Sequence, residues 1–261
     1  MLGAIIGDIV GSRWEFRPIK RKDFELFSNA NSITDDSVMT LAVAKSLLES
    51  KNDFSDLSEL AVKNMQYMGR KYNAGYGPMF FNWIHNDNPQ PYNSFGNGSA
   101  MRVSPCGIFA RSIEEAKMLS KKVTEVTHNH PEGIKGAEAV AVAIFLAREG
   151  KTQSEIRDYI DKNYYSMNFS IDEIREGYRF DVSCQGSVPQ AIKCFVEAKD
   201  YEDCVRNAVS LGGDADTQAA IAGSIAEYCF GIPEKFRSQA KKYLPTDLLE
   251  ILMAFEERFE R

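Results

Sequence analysis

The chain has 261 residues, of which 44% are hydrophobic and 26% charged, a composition that suits one large globular domain or at most two. Its formal net charge is −6 and it carries no basic stripe, which disfavours binding to a nucleic-acid backbone. No run approaches the roughly 18 apolar residues of a membrane span, and Asp8 interrupts the apolar N-terminus before a signal peptide could form. Five scattered cysteines without a CxxC pair indicate reduced thiols, so we expect a cytoplasmic protein without membrane contact.

Helical periodicity runs through almost the whole chain. Apolar residues return every three or four positions in segments such as SVMTLAVAKSLLES, SIEEAKMLSKKVTEVT and TDLLEILMAFEERFER. GAEAVAVAIFLA is small or apolar on most faces, which predicts a central helix. The expected N-caps are Ser112, Ser154, Asp200 and Thr246, and the expected helix ends are Gly150 and Gly212. The best strand candidate, YRFDVSC, is isolated, so the pattern predicts an all-α fold of about a dozen helices, a single compact multi-helix domain over residues 1–261.

Four segments interrupt this pattern and concentrate glycine, proline, asparagine and histidine. They are NAGYGPMFFNW, NPQPYNSFGNGSAMRVSPCG, VTHNHPEG and SLGGDADT. Binding residues commonly lie on loops that a rigid scaffold positions, so we expect the functional site on these loops.

Two predicted helix starts mirror each other. SITDDSVMT contains Thr34, Asp35 and Asp36, and LGGDADT contains Asp214, Asp216 and Thr217. Helix capping explains each motif alone, because Thr and Asp cap helices and acidic residues suit the positive helix end. A cap needs one side chain, however, and each motif offers two carboxylates and a hydroxyl. Four carboxylates in one cleft would repel unless cations lay between them or some were protonated, and one or two Mg²⁺ ions would remove that repulsion.

The N-terminal segment GDIVGSRWEF adds Asp8 and Glu15 to the acidic residues. Gly7 and Gly11 are four positions apart, which permits close helix packing. For Glu15 the alternative interpretation is a surface glutamate with a solvated carboxylate.

The segments FGNGSAMR and THNHPEG are candidate ligand contacts. Glycines at 96 and 98 let backbone N–H groups turn towards an anion, although a plain turn fits the same residues. Arg102 can pair with a phosphate or form an internal ion pair. His128 and His130 lack a third soft ligand for zinc and suit a turn or a helix cap, and a polar contact to a ligand is favoured only for His128.

Taken together and in this order, these segments resemble the ADP-ribosylglycohydrolase family, which includes the dinitrogenase-reductase-activating glycohydrolases and the eukaryotic ADP-ribosylhydrolases. The resemblance covers nearly the whole chain through GAIIGDIVGSRWEF, ITDDSVMTLAVA, GYGPMFFNW, GNGSAMRVSPCG, THNHPEG and SLGGDADTQAAIAGSIA. It implies an all-α fold and a site for two Mg²⁺ ions, for which Mn²⁺ can substitute. It also implies magnesium-dependent hydrolysis of the glycosidic bond between ADP-ribose and an acceptor, with release of ADP-ribose.

The resemblance also implies roles for individual residues. The implied metal ligands are Thr34, Asp35, Asp36, Asp214, Asp216 and Thr217. The implied catalytic groups are Glu15 or a metal-site aspartate, Asp35 or Asp36. The implied substrate contacts are Tyr76, Gly77, Gly98, Ser99, Met101 and His128.

Two other functions remain open at this point. An all-α magnesium-dependent nucleotide pyrophosphohydrolase also uses clustered carboxylates, usually as repeated E-x-x-E pairs, and would release AMP. A homologue without catalysis would bind ADP-ribose only, although all four aspartates of the two motifs are present. The expected partner is ADP-ribose or an ADP-ribosylated substrate; a nucleic acid would enter only as a modified substrate, and the expected form is a monomer. The acceptor is open between arginine, serine, a nucleic-acid base and a small molecule.

Overall fold

A computed structural model describes residues 1–259 of the chain and contains 14 α-helices within them. The helices are α1 Leu2–Ser12, α2 Asp35–Glu49, α3 Leu57–Lys71, α4 Pro78–His85, α5 Ser104–Phe109, α6 Ile113–Thr124, α7 Pro131–Arg148, α8 Gln153–Asn163, α9 Ile171–Arg175, α10 Cys184–Val196, α11 Tyr201–Ser210, α12 Ala215–Phe230, α13 Glu234–Ala240 and α14 Thr246–Phe259. Short 3₁₀ helices cover Asn97–Ser99 and Lys241–Tyr243. The all-α prediction is confirmed, because no strand is formed between residues 1 and 259.

The predicted central helix is α7. Its residues from Ala139 to Ala147 are buried, and it packs against α5, α6, α10 and α12. A helix that is apolar on nearly all faces has to be surrounded by other helices, which is why this segment lies inside the fold.

Helix α1 packs closely against α12 along glycines. A Cβ on Gly7 would lie 2.0 Å from the backbone oxygen of Ala219, and one on Gly11 would lie 2.4 Å from the Cα of Asp216. Only glycine permits this approach, so the predicted role of both residues is confirmed. The packing carries Asp8 of α1 towards the start of α12, and the site begins there.

One of the loop predictions is corrected by the structure. NAGYGPMFFNW was expected to be a loop, but α4 begins at Pro78, because Phe80, Trp83 and Ile84 recur at helical spacing and are buried. The run YRFDVSC, the best strand candidate, forms no strand, in agreement with the all-α prediction, and Ser183 makes an isolated bridge with Gly96.

The helix-start predictions are partly confirmed. Ser112 and Asp200 cap their helices as expected. The cap of α8 is Thr152, which forms a capping box with Glu155, so the prediction of Ser154 is wrong. Thr246 is the first residue of α14 itself. Gly150 and Gly212 follow helix ends with φ of +78° and +63°, as their predicted role requires.

None of the helices formed by residues 1–259 is both long and apolar enough to cross a membrane.

Candidate functional site

A cleft of about 630 Å³ lies where the starts of α2 and α12 meet the segment from Gly96 to Gly98, here called the glycine loop. Its walls include most of the predicted site residues, namely Glu15, Asp35, Asp36, Gly77, Gly98, Met101, His128, Asp214, Asp216 and Thr217. Thr34, Tyr76 and Ser99 do not line it directly. The structure therefore gathers residues from both ends of the chain into one cavity.

The start of α2 is held by Asp8, which is fully buried in α1. The Asp8 carboxylate accepts from the backbone N–H of Thr34 (3.0 Å), the Thr34 hydroxyl (2.6 Å), the backbone N–H of Ser37 (3.1 Å) and the Ser37 hydroxyl. Thr34 is the N-cap of α2, so capping accounts for its hydroxyl. Asp8 thus supplies the capping charge from outside the helix and leaves Asp35 and Asp36 free to face the cleft.

The start of α12 meets the start of α2 directly. The Thr217 hydroxyl donates to Oδ2 of Asp36 at 3.2 Å, across 181 positions of sequence. Asp214 is the N-cap of α12 without a side-chain capping bond, and its Oδ2 accepts from the Asn97 amide at 2.7 Å. Capping therefore does not account for the Asp214 carboxylate, as the surplus of acidic groups in the motif suggested.

Two overlapping groups of carboxylates have the spacing of metal ligands. One oxygen from each of Asp8, Asp36 and Asp216 lies within 4.8 Å of the others, and the same is true of Glu15, Asp214 and Asp216. Asp216 belongs to both groups, while Asp35 belongs to neither and lines the cleft beside them.

Electrostatics in this part of the cleft are unfavourable for the protein alone. Burial, and then the charge of Asp216, raise the pKa of Asp35 and of Asp36 well above the ordinary value. No salt bridge involves any of these carboxylates within residues 1–259. Oδ1 of Asp36 is buried without a hydrogen-bond partner. Hard divalent cations take this kind of oxygen ligand, so the residues fit a metal.

Glu15 lies three residues beyond the end of α1 and is half-buried at the wall of the cleft. Burial, with smaller contributions from Asp216 and Asp8, raises the pKa of Glu15 to about 8. Glu15 is therefore partly withdrawn from solvent, which fits a fully solvated surface glutamate less well than a residue of the cleft wall. A carboxyl group with this pKa can give or take a proton near neutral pH.

The glycine loop brings His128 to the opposite wall. A Cβ on Gly98 would lie 3.5 Å from Nε2 of His128. Ser99 is fully buried, and its hydroxyl donates to the backbone oxygens of Gly96 (3.1 Å) and Gly133 (2.9 Å). The Ser99 side chain therefore holds the loop to the start of α7 and does not line the cleft, whereas Gly98 and His128 do line it.

On the α4 side, Gly77 lines the cleft, and its neighbour Tyr76 packs behind it. The Tyr76 ring packs edge-on against Phe80 with centroids 5.6 Å apart, and its buried hydroxyl has no partner. Burial, with a smaller contribution from Asp35, raises the pKa of the Tyr76 phenol.

Comparison with known proteins identifies the family. A sequence model of the ADP-ribosylglycohydrolase family matches residues 1–261. The chain belongs to the ADP-ribosylglycohydrolase family. Human ADP-ribosylhydrolase ARH3 is 24% identical over 95% of this chain and 90% of its own length. The ADP-ribosylarginine hydrolase Tri1 of Pseudomonas putida strain GB-1 is 26% identical over 89% of this chain and 70% of its own length.

A solved structure titled ADP-ribosylglycohydrolase-related protein complex has the same fold, with a TM-score of 0.72 and 20% identity over 99% of this chain and 95% of that one. Members of the ADP-ribosylglycohydrolase family are hydrolases that act on glycosyl bonds, and this chain is an enzyme of that class. The resemblance stated from the motifs is confirmed. The metal, the oligomeric state, the cellular location and the roles of the individual site residues stay predictions.

The cleft also contains residues that were not predicted from the sequence, among them Asn97, Phe16, Phe180 and Val182. Asn97 holds Asp214, and Phe16, Phe180 and Val182 form an exposed apolar mouth beside Glu15. An exposed aromatic residue in an irregular segment carries no periodic signal. Asn97 was quoted only as the residue between two glycines, where a turn explains it equally well.

Proposed function

We propose that the protein is a divalent-metal-dependent hydrolase that cleaves the glycosidic bond between ADP-ribose and an acceptor and releases ADP-ribose. The observation that supports this most strongly is the contact between the two helix starts, where Thr217 donates to Asp36 beside two groups of closely spaced carboxylates. The family and the names of its relatives ARH3 and Tri1 supply the substrate class.

The metal ligands in this proposal come from both helix starts. Asp36 of α2 and Asp216 of α12 would hold Mg²⁺ or Mn²⁺. Asp8 completes the first group of carboxylates, and Glu15 and Asp214 complete the second group with Asp216. Thr34, Asp35 and Thr217 are further predicted ligands. A bound cation supplies positive charge that orients the sugar hydroxyls and a water.

The chain's own residues would do the remaining chemistry. Cleavage of a glycosidic bond passes through an oxocarbenium-like state, so the leaving acceptor needs a proton and the attacking water has to lose one. Glu15 is the first candidate for this proton transfer, because it lines the cleft beside Asp214 and Asp216 and burial raises its pKa in the metal-free protein. Asp35 is the second, because it faces the cleft outside both carboxylate groups. Gly98, Met101 and His128 would contact the ADP-ribosyl group.

The test is a panel of ADP-ribosylated substrates, linked through arginine, serine, a nucleic-acid base or a small molecule. Each is incubated with Mg²⁺, with Mn²⁺ and with EDTA, and free ADP-ribose is measured. We expect release from at least one conjugate with metal and none in EDTA. Full activity in EDTA would contradict the metal requirement.

The same incubations separate the two rival functions. A nucleotide pyrophosphohydrolase would release AMP from ADP-ribose or a dinucleotide. A homologue that only binds would retain ADP-ribose on the protein without turning over any conjugate.

A further inference from the structure

We propose that Arg102 and Thr127 are positioning residues for His128. In this proposal a relay of hydrogen bonds from Arg102 through Thr127 places the proton of the His128 ring on Nε2, where it is donated to an oxygen of the bound ligand. The relay is inferred from the contacts below. The statement that the acceptor belongs to ADP-ribose rests on the proposed function.

The relay begins with a buried cation. Arg102 is 1% exposed, forms no salt bridge among the described residues, and donates through Nη2 to the backbone oxygen of Val123 (3.2 Å) and to Oγ1 of Thr127 (2.6 Å). Its guanidinium also lies 5.6 Å from the centre of the Phe80 ring. A buried cation without a counter-ion is costly and needs a structural reason. Because a guanidinium has no acceptor atom, Thr127 must be the acceptor in this contact.

The Thr127 hydroxyl then has one proton to donate and two neighbours that could take it. The backbone oxygen of Thr124 lies 3.2 Å from Oγ1, but it already accepts from the backbone N–H of Thr127 (3.1 Å) and of His128 (2.9 Å). Nδ1 of His128 lies only 2.7 Å from Oγ1. Since both lone pairs of the carbonyl are used, the hydroxyl donates to Nδ1. The Arg102 charge polarises the hydroxyl and strengthens this bond.

An imidazole that accepts at Nδ1 carries its proton on Nε2 when it is neutral. Burial, and then the charge of Arg102, lower the pKa of His128 well below the ordinary value, so the neutral ring is favoured. The Tyr92 ring covers His128 with centroids 5.6 Å apart. Nε2 points towards Gly96 and Gly98 and has no hydrogen-bond partner within residues 1–259. A donor of fixed direction is therefore presented to the cleft.

The direct test is the protonation of each ring nitrogen, observed by long-range ¹H–¹⁵N correlation NMR of the whole protein. The chain has three histidines, His85, His128 and His130, so the His128 signals can be assigned by their loss in His128→Gln. We expect the Nε2–H tautomer at neutral pH. A proton on Nδ1, or a doubly protonated ring, would overturn the proposal.

The variants Thr127→Val and Thr127→Ser test the middle of the relay. Valine removes the hydroxyl at nearly the same volume, so we expect a mixture of tautomers and about 3- to 10-fold weaker binding of ADP-ribose. Serine keeps a hydroxyl and should restore both. His85→Gln, which removes an exposed histidine outside the cleft, is the control that should change neither. An unchanged tautomer in Thr127→Val contradicts the relay.

Arg102→Met tests the start of the relay, with melting temperature as the check of folding. We expect the same mixed tautomers as in Thr127→Val. If this variant does not fold, the wild-type spectrum still decides. If the wild-type tautomer is Nε2–H and ADP-ribose does not bind, the proposed function fails while the relay stands.

Discussion

The two ends of the cleft are built in opposite ways. At the inner end, Asp36 and Asp216 are only 2% and 3% exposed and sit among other acidic groups. At the mouth, Phe16 is 78% exposed and Phe180 47% exposed, and their rings contact each other with centroids 6.0 Å apart. A folded domain normally buries aromatic rings and exposes carboxylates.

This difference between the inner end and the mouth shows which part of the site is held in place by the core of the fold. The inner end depends on the packing of α1 on α12 and on the capping of α2 by Asp8, so its geometry comes with the core. The mouth lies on irregular segments after α1 and before α10, whose side chains the core does not need. We therefore expect the inner end to carry the chemistry and the mouth to select the acceptor.

The largest expected effect comes from Asp216→Asn at the inner end. Asp216 belongs to both carboxylate groups, and loss of even an outer-shell partner reduces metal affinity or activity about 10- to 100-fold, so we expect a loss above about 100-fold in both. Isothermal titration with Mg²⁺ and the release of ADP-ribose measure the two quantities. The variant should still fold, because a neutral amide removes one buried charge and its repulsion with the neighbouring carboxylates. Wild-type Mg²⁺ affinity in this variant would show that the inner end is not a metal site.

Glu15→Gln, between the two ends, should reduce kcat. Loss of general acid–base catalysis typically costs about 10²- to 10⁴-fold, and we expect a decrease in this range with the Kd for ADP-ribose changed little. The Asp35→Asn variant is the matched comparison, since Asp35 is the second candidate for proton transfer. If Asp35→Asn shows the larger decrease in kcat and Glu15→Gln the smaller one, the roles of the two residues are exchanged.

The raised pKa of Glu15 also predicts a stability effect. Its pKa rises from an ordinary 4.5 to about 8 in the fold, so between these values the folded metal-free protein holds a proton that the unfolded chain has released. The contribution of Glu15 is therefore full below pH 4.5 and is lost as the pH rises to about 8.

Melting temperatures in EDTA measure this effect at pH 5 and pH 8. Between pH 5 and pH 8, the melting temperature of the wild type should fall by at least about 2 °C more than that of Glu15→Gln. The difference between the two proteins removes the contributions of other titrating groups such as His128. Saturating Mg²⁺ should reduce the difference, because cations stabilise the ionised carboxylates. Equal losses in EDTA would mean that Glu15 is not perturbed in the folded protein.

The inner end could be predicted from the sequence to a large extent. Two predicted helices each begin with a pair of aspartates, Asp35 with Asp36 and Asp214 with Asp216. Each pair has more carboxylates than helix capping requires, and this excess can be read from the sequence. Their meeting across 181 positions was not visible, because spacing in sequence does not determine distance in a helical fold. It was inferred from the mirrored composition of the two motifs and was also implied by the family resemblance.

The remaining residues escaped for physical reasons that differ. Asp8 was noticed only as one more acidic group, because its capping of α2 depends on how α1 and α2 cross. The relay through Thr127 depends on the meeting of two segments, one with Arg102 and one with Thr127 and His128. Helix α4 was missed because it is short, begins with a proline and is flanked by a glycine and an asparagine, all of which are common in loops. The burial of Phe80 and Trp83 stabilises the helix despite this local preference.

The smallest effect, and the sharpest test of the comparison, is expected for Phe16→Ala at the mouth. Contacts of one exposed aromatic ring are worth enough for an increase of about 3- to 10-fold in KM for a conjugate. Free ADP-ribose lacks the acceptor, so its Kd should not change. Phe81→Ala removes another exposed ring, which lies outside the cleft, and should change neither quantity. Phe180→Ala combined with Phe16→Ala should cost less than the sum of the two, because the rings contact each other. If Phe16→Ala weakens free ADP-ribose as much as the conjugate, the mouth binds the ADP-ribosyl group itself, and acceptor selection must lie elsewhere.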